Sequence, residues 1–147
     1  MEHIDRQKAQ RVWQRVQSAS ETPHSMTVNP EGLLLEEITD AQLLEQLARQ
    51  TKEPASLRLL AQQSQHRASI LRGICRLSSL TAPSGIPKPG RQDNYPAALR
   101  RIIGRLLRRL QEYRRLCDHE EFAPLYEALG ELTRDSAVLL AQVIGKS

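Results

Sequence analysis

The chain has 147 residues, a formal net charge of +4 and two Cys, and aromatic residues make up only 3% of it. This length is sufficient for one domain with a sizeable core. Because aromatic and β-branched side chains are scarce, the composition disfavours an all-β fold. Two Cys are too few for a disulfide scaffold, so Cys75 and Cys117 are predicted to be core residues of a protein in a reducing compartment.

No run of 18 or more apolar residues is present, so the sequence predicts no membrane-spanning helix. The first residues, MEHIDRQKAQRVW, lack the apolar stretch of a signal peptide. Together with the two Cys, these features predict a cytoplasmic protein without a membrane partner.

An N-terminal helix is predicted at residues 2–19, where an intermittent apolar stripe includes Trp13. A stretch rich in Ser, Thr and Pro follows this helix, and its composition is typical of a linker. We therefore divide the chain into residues 1–30, an N-terminal helix and linker, and residues 31–147, the main domain. The N-terminal helix is expected to pack on that domain or on a neighbouring chain, and Trp13 could contact a protein partner.

The main domain contains four amphipathic segments, in which apolar residues recur every three or four positions. Helices are predicted at 31–52, 54–78, 96–116 and 121–144. Short links within the first pair and within the last pair predict two antiparallel hairpins. The stretch between the hairpins, SSLTAPSGIPKPGRQDNYP, is long enough to cross the length of a bundle, so the second and third helices need not be antiparallel. The predicted fold class is all-α, a four-helix bundle of two hairpins with a long crossover.

Several polar residues interrupt the apolar stripes of this predicted bundle. Glu37 lies at the edge of the first stripe, and Gln63 and His66 lie on or beside the second. The last helix has Thr133 and Ser136 at the same spacing of three. An unsatisfied polar group in a core costs about 1–3 kcal/mol, so these residues need hydrogen-bond partners or a ligand. In di-iron bundles, two helices each contribute a Glu and the other two each contribute a Glu-x-x-His pair.

The two hairpins resemble the rubrerythrin and ferritin-like superfamily. The segments that carry the resemblance are LLLEEITDAQLLEQLARQTKEPASLRLLAQQSQHRASILRGI and EYRRLCDHEEFAPLYEALGELTRDSAVLLAQVIG. The resemblance implies a ferritin-like bundle and an ancestral di-iron centre with six protein ligands. Carried onto this sequence, only Glu37 and His66 keep a ligand of the expected type. The other ligand positions hold Gln63, Leu106, Thr133 and Ser136.

We therefore expect that the di-iron centre is lost and that no cofactor is bound. Two interpretations of the remaining residues stay open. In the first, His66 is a hydrogen-bonded core residue with Gln63 as its polar neighbour. In the second, Glu37 and His66, with Gln63 beside them, form a vestigial site for iron or another divalent metal.

A second candidate site is the Arg-rich helix LRRIIGRLLRRLQEYRRL. Four of its arginines are predicted to cluster opposite the apolar stripe and could bind phosphate groups: Arg101, Arg105, Arg108 and Arg115. The alternative is a solvated face whose Arg side chains cover apolar surface and pair with Glu. No aromatic residues are interleaved for base stacking, so a nucleic-acid partner is not expected.

Three functions are consistent with the sequence. The first is a non-enzymatic binding or structural protein, acting as a homodimer or through a partner of the N-terminal helix. The second, implied by the resemblance, is an iron-dependent peroxidase or ferroxidase of the rubrerythrin type. The third is a protein whose Arg-rich helix binds nucleic acid or an acidic partner. Metal content separates the second from the first, and salt-dependent binding separates the third.

Overall fold

A computed structural model of the protein describes residues 29–78, 80, 94–118 and 121–146. These residues form four helices and no strand: α1 (Pro30–Ala48), α2 (Ala55–Leu77), α3 (Tyr95–Leu116) and α4 (Ala123–Lys146). The predicted all-α bundle is confirmed, and the helices lie close to their predicted bounds, although α1 ends earlier than expected. The helix predicted at residues 2–19 lies outside the described residues.

Asparagine caps explain where α1 and α3 begin. The Asn29 side chain accepts a hydrogen bond from the Gly32 N–H at 2.7 Å, and Asn94 accepts one from the Ala97 N–H at 2.9 Å. Each cap satisfies a backbone donor that has no partner within its own helix. A proline also lies in the first turn of both helices, where its missing N–H costs nothing.

The helices are arranged in a ring in which α1 packs on α2, α2 on α4, and α4 on α3. Between α1 and α3, Glu37 bonds to Tyr113 whereas Asp40, further along α1, bonds to Arg105. Glu37 precedes Asp40 in α1, whereas its partner Tyr113 follows Arg105 in α3, so α1 and α3 are antiparallel. Their backbones approach each other less closely than those of the other neighbouring pairs.

The pairing of α2 with α4 is also antiparallel. Gln63 bonds to Ser136, whereas Arg67, one turn further along α2, reaches back to the Leu132 carbonyl as well as to Ser136. Neighbouring helices therefore alternate in direction around the ring. The diagonal helices α2 and α3 run parallel, as the long link between the predicted hairpins allows.

Buried polar residues form a layer between two apolar clusters. One cluster contains Leu44, Leu57, Leu99 and Leu140, near one end of the bundle. The other contains Leu33, Leu71, Tyr113 and Leu129, near the opposite end. The buried polar and charged side chains are Glu37, Asp40, Ser64, Arg67, Arg109, Thr133 and Ser136. This polar layer is the candidate site.

None of the described helices is both long and apolar enough to cross a lipid bilayer.

Candidate functional site

The Glu37 carboxylate is at the centre of the polar layer and is completely buried. Its Oε2 accepts hydrogen bonds from Arg67 Nε at 2.7 Å and from the Tyr113 hydroxyl at 2.9 Å. Its Oε1 accepts from Ser64 Oγ at 2.9 Å and from Arg67 Nη2 at 3.2 Å, and lies 3.1 Å from Arg109 Nη2. Donors from α2 and α3 therefore surround both carboxylate oxygens.

Arg67 connects this carboxylate to the opposite side of the bundle. Its Nη1 donates to Ser136 Oγ at 2.6 Å, and it also lies 3.4 Å from the Leu132 carbonyl oxygen. The Ser136 hydroxyl in turn donates to Gln63 Oε1 at 2.7 Å. One guanidinium thus links α1 to α4 through the core, although Arg67 itself is on α2.

Arg109 is the second buried guanidinium, and it is held mainly by charge. Its Nη2 lies 2.7 Å from Asp40 Oδ2, and its Nη1 lies 3.6 Å from Glu36 Oε1. None of its N–H groups meets hydrogen-bond geometry with a described residue, despite these short distances. Arg109 therefore balances the carboxylates of α1 electrostatically rather than through aligned hydrogen bonds.

Two arginines at the edge of the layer complete the contact between α1 and α3. Arg105 Nη2 lies 2.6 Å from Asp40 Oδ1, and Arg108 pairs with Glu36. Long side chains of opposite charge therefore fill the space between these helices, which explains why their backbones are further apart than those of the other neighbours.

The charges of the fully enclosed groups balance, since Glu37 and Asp40 face Arg67 and Arg109. Taking such ions out of water costs several kcal/mol each, and this cost is offset only when each ion keeps its partners. Burial acts to raise the pKa of Glu37, but the charges of Arg109 and Arg67 and the bonds from Arg67 and Tyr113 outweigh it and lower that pKa. Glu37 is therefore ionised at neutral pH.

Two neighbours of Glu37 have raised pKa values, because for them the effect of burial is not outweighed. Burial is the main cause that raises the pKa of Glu36, against the opposing charges of Arg109 and Arg108. Burial and the negative charge of Glu37 raise the pKa of Tyr113 well above its ordinary value. Tyr113 is therefore a neutral donor to Glu37 at any physiological pH.

The residues predicted on α2 are displaced by one position from those found in the site. The prediction that His66 lies on or beside the core face is wrong, because His66 is exposed. Gln63 is half-buried and joins the edge of the network through Ser136. The pair that enters the core at the predicted spacing of three is Ser64 and Arg67.

On the other helices, Glu37, Thr133 and Ser136 are all buried, as their positions in the stripes suggested. The Thr133 hydroxyl donates to the Leu129 carbonyl at 2.7 Å, within its own helix. Leu106, the residue at the expected Glu position of the third helix, packs in an apolar cluster. The α3 residues in contact with the buried carboxylates of Glu37 and Asp40 are Arg105, Arg109 and Tyr113.

The arginines predicted as an anion-binding face do not share one environment. Arg105 is half-buried against Asp40 of α1, so the prediction that it lies opposite the apolar stripe is wrong, whereas Arg108 is exposed and pairs with Glu36 of α1. Arg115 pairs with Glu112 on its own helix, and Arg101 is exposed and also has an interaction partner.

Sequence reasoning missed Arg67, Arg109 and Asp40, because such residues are seldom fully buried unless they are paired. A signal was available on α1, where Glu36, Glu37 and Asp40 lie on or next to an apolar stripe. Acidic residues in that position require buried cations from the facing helices, and α2 and α3 supply them.

The site does not suit a di-iron centre. Two divalent cations need several carboxylate or imidazole ligands, whereas Glu37 is already bonded to donors and lies between two guanidinium cations. Among the described residues, no group of three or more His, Cys, Asp or Glu side chains is arranged to hold a metal ion.

Comparisons of the chain with protein-family models, curated proteins and solved structures give no significant match.

Proposed function

We propose that this protein is a ferritin-like bundle that has lost its di-iron site, with a buried arginine–carboxylate network in its place, and that it acts as a non-enzymatic binding or structural protein. The observation that carries the proposal is the environment of Glu37. Each of its oxygens accepts from hydroxyl and guanidinium groups, so neither is available to bridge metal ions.

The spacing of the buried polar residues supports the ferritin-like relationship. Di-iron bundles present one Glu from each of two helices and a pair three residues apart from each of the other two. Here α1 presents Glu37, α2 presents Ser64 and Arg67, and α4 presents Thr133 and Ser136. In this interpretation the pattern of positions is retained on these three helices, where hydroxyl and guanidinium groups replace every ligand except Glu37, and Leu106 occupies the Glu position of α3.

The same residues argue against catalysis in the core. Arg67 and Arg109 remain cationic, Tyr113 is a neutral donor, and the described contacts tie them to one another. A network of this kind stabilises one arrangement of the helices. We therefore assign the binding role to the outer surface of the bundle.

Metal content tests the proposal directly. Elemental analysis of the purified full chain is expected to find no stoichiometric iron, and ferrous ion titration is expected to show no saturable binding. His66→Ala is expected to behave as wild type in both experiments, because His66 is exposed and apart from the network. About two irons per chain, or oxidation of ferrous ion by the wild type, would overturn the proposal.

A further inference from the structure

We propose that the outer face formed by α2 and α4 is a dimer interface that binds a second copy of this chain. We call it the α2/α4 face and define it by six apolar residues: Leu59, Ile70 and Leu77 on α2, and Leu125, Leu132 and Leu139 on α4. Leu59 is 46% exposed, Leu77 is 68% exposed and Leu125 is 36% exposed. The other three are half-buried.

These residues form a second apolar stripe beside the one that builds the core. On α4 the three leucines recur at intervals of seven, and Ile70 and Leu77 on α2 are also seven apart. A seven-residue repeat is the pattern of helices that pack along their length against another helix. Since α2 and α4 already pack on each other, their two stripes form one continuous face.

The centre of this face is polar and contains one acid and one imidazole. Gln63 and Arg67 both bond to Ser136, so His66 on α2 and Asp135 on α4 lie at the same level along the bundle. Both are exposed, and neither makes a hydrogen bond or ion pair within the described part of the chain. Apolar residues of the α2/α4 face lie on either side of this level.

This arrangement is complementary to itself under a two-fold axis parallel to the helices. Such an axis places α2 over α4 of the second copy, in antiparallel contact and at the same level. His66 then faces Asp135 of the second copy, and this contact occurs twice. Imidazole can donate a hydrogen bond to a carboxylate whether it is neutral or protonated.

The other two-fold arrangement has its axis in the face and perpendicular to the helices. Where that axis crosses the bundle at the level of His66 and Asp135, it would place Asp135 over Asp135 of the second copy, which is unfavourable for two carboxylates. Charge therefore selects the parallel axis, in which α2 and α4 of both copies form a second antiparallel four-helix bundle.

The oligomeric state of the full chain tests this inference. The inference rests on the proposed function, because it names the partner for the proposed binding role. A monomeric protein would contradict the dimer interface but would not change the iron content that the proposed function predicts. In sedimentation experiments from about 1 to 100 µM, the wild type is expected to dimerise with a measurable dissociation constant. Leu59→Glu is expected to raise that constant at least about tenfold. The matched control is Leu107→Glu on α3, where Leu107 is 49% exposed, and it should leave the constant unchanged.

A charge exchange tests the predicted pairing. His66→Asp should weaken the dimer, and the double variant His66→Asp with Asp135→His should restore it. Circular dichroism of each variant is expected to show that the helices are retained, because all four substituted positions are exposed. A monomeric wild type throughout this range, equal effects of the two Leu→Glu variants, or no restoration by the exchange would each overturn the proposal. If the wild type is monomeric, the α2/α4 face does not bind a second copy of this chain.

Discussion

Replacement of Glu37 by Gln tests whether the buried charges act as one unit. The substitution preserves the shape of the side chain but removes the charge that Arg67 and Arg109 share. It also converts one acceptor into a donor. Since Arg67 and Ser64 donate to Oε1, and Arg67 and Tyr113 donate to Oε2, the new NH₂ group meets donors in either orientation.

The expected cost is about 3–5 kcal/mol of unfolding free energy, the usual effect of removing one partner of a buried ion pair. A domain of this size has roughly 5–15 kcal/mol in total, so the variant should be severely destabilised or partly unfolded. Urea denaturation followed by circular dichroism measures the difference. The control is Glu112→Gln, which breaks a partly exposed pair with Arg115 and should cost less than about 1 kcal/mol.

An unfolding free energy for Glu37→Gln within about 1 kcal/mol of wild type would refute this reasoning, because the charges would then not depend on each other. The double variant Glu37→Leu, Arg67→Met supplies a second check. Removing one charge of each sign should cost less than Glu37→Gln alone, because Arg109 and Asp40 remain paired.

Other predictions follow from individual contacts. Because the pKa of Glu37 is lower in the folded chain than its ordinary value of 4.5, its contribution to stability is present above pH 4.5 and is lost as the pH falls below it; Glu37→Gln should flatten the acid limb of the stability–pH curve. Asn94→Ala should lower the unfolding free energy by about 1 kcal/mol through loss of a helix cap, and no change in urea denaturation would contradict that role. Gly104→Ala should raise the melting temperature, because a Cβ there meets no atom within 4 Å and alanine favours the helix by about 1 kcal/mol. In ultraviolet titration Tyr126 should ionise near pH 12, its pKa being raised chiefly by burial, whereas Tyr113 should ionise only as the protein unfolds.

Apolar periodicity was sufficient to predict the helices, but it left the orientation of α2 uncertain by one residue. That helix has one stripe with Leu57, Leu60 and Leu71 in the core and another with Leu59 and Ile70 near its surface. Both stripes follow the three-and-four spacing. If the stripe with Leu59 and Ile70 is assigned to the core, the predicted polar pair is Gln63 and His66 instead of Ser64 and Arg67.

The buried arginines could not be predicted from α2 or α3 alone. Periodicity assigns a charged residue to the surface, and Arg67 and Arg109 are in the core only because α1 carries acidic residues opposite them. Such pairing depends on which helices are neighbours and on their relative direction. That information becomes available only when the ring of four helices has been assembled.

The bonds of Arg67 also restrict how the helices can slide along each other. Apolar stripes alone would tolerate a shift by a whole turn, since leucine would again meet leucine. A shift of α2 would separate Arg67 from Glu37 on one side and from Ser136 on the other. A single guanidinium therefore fixes the alignment of three helices.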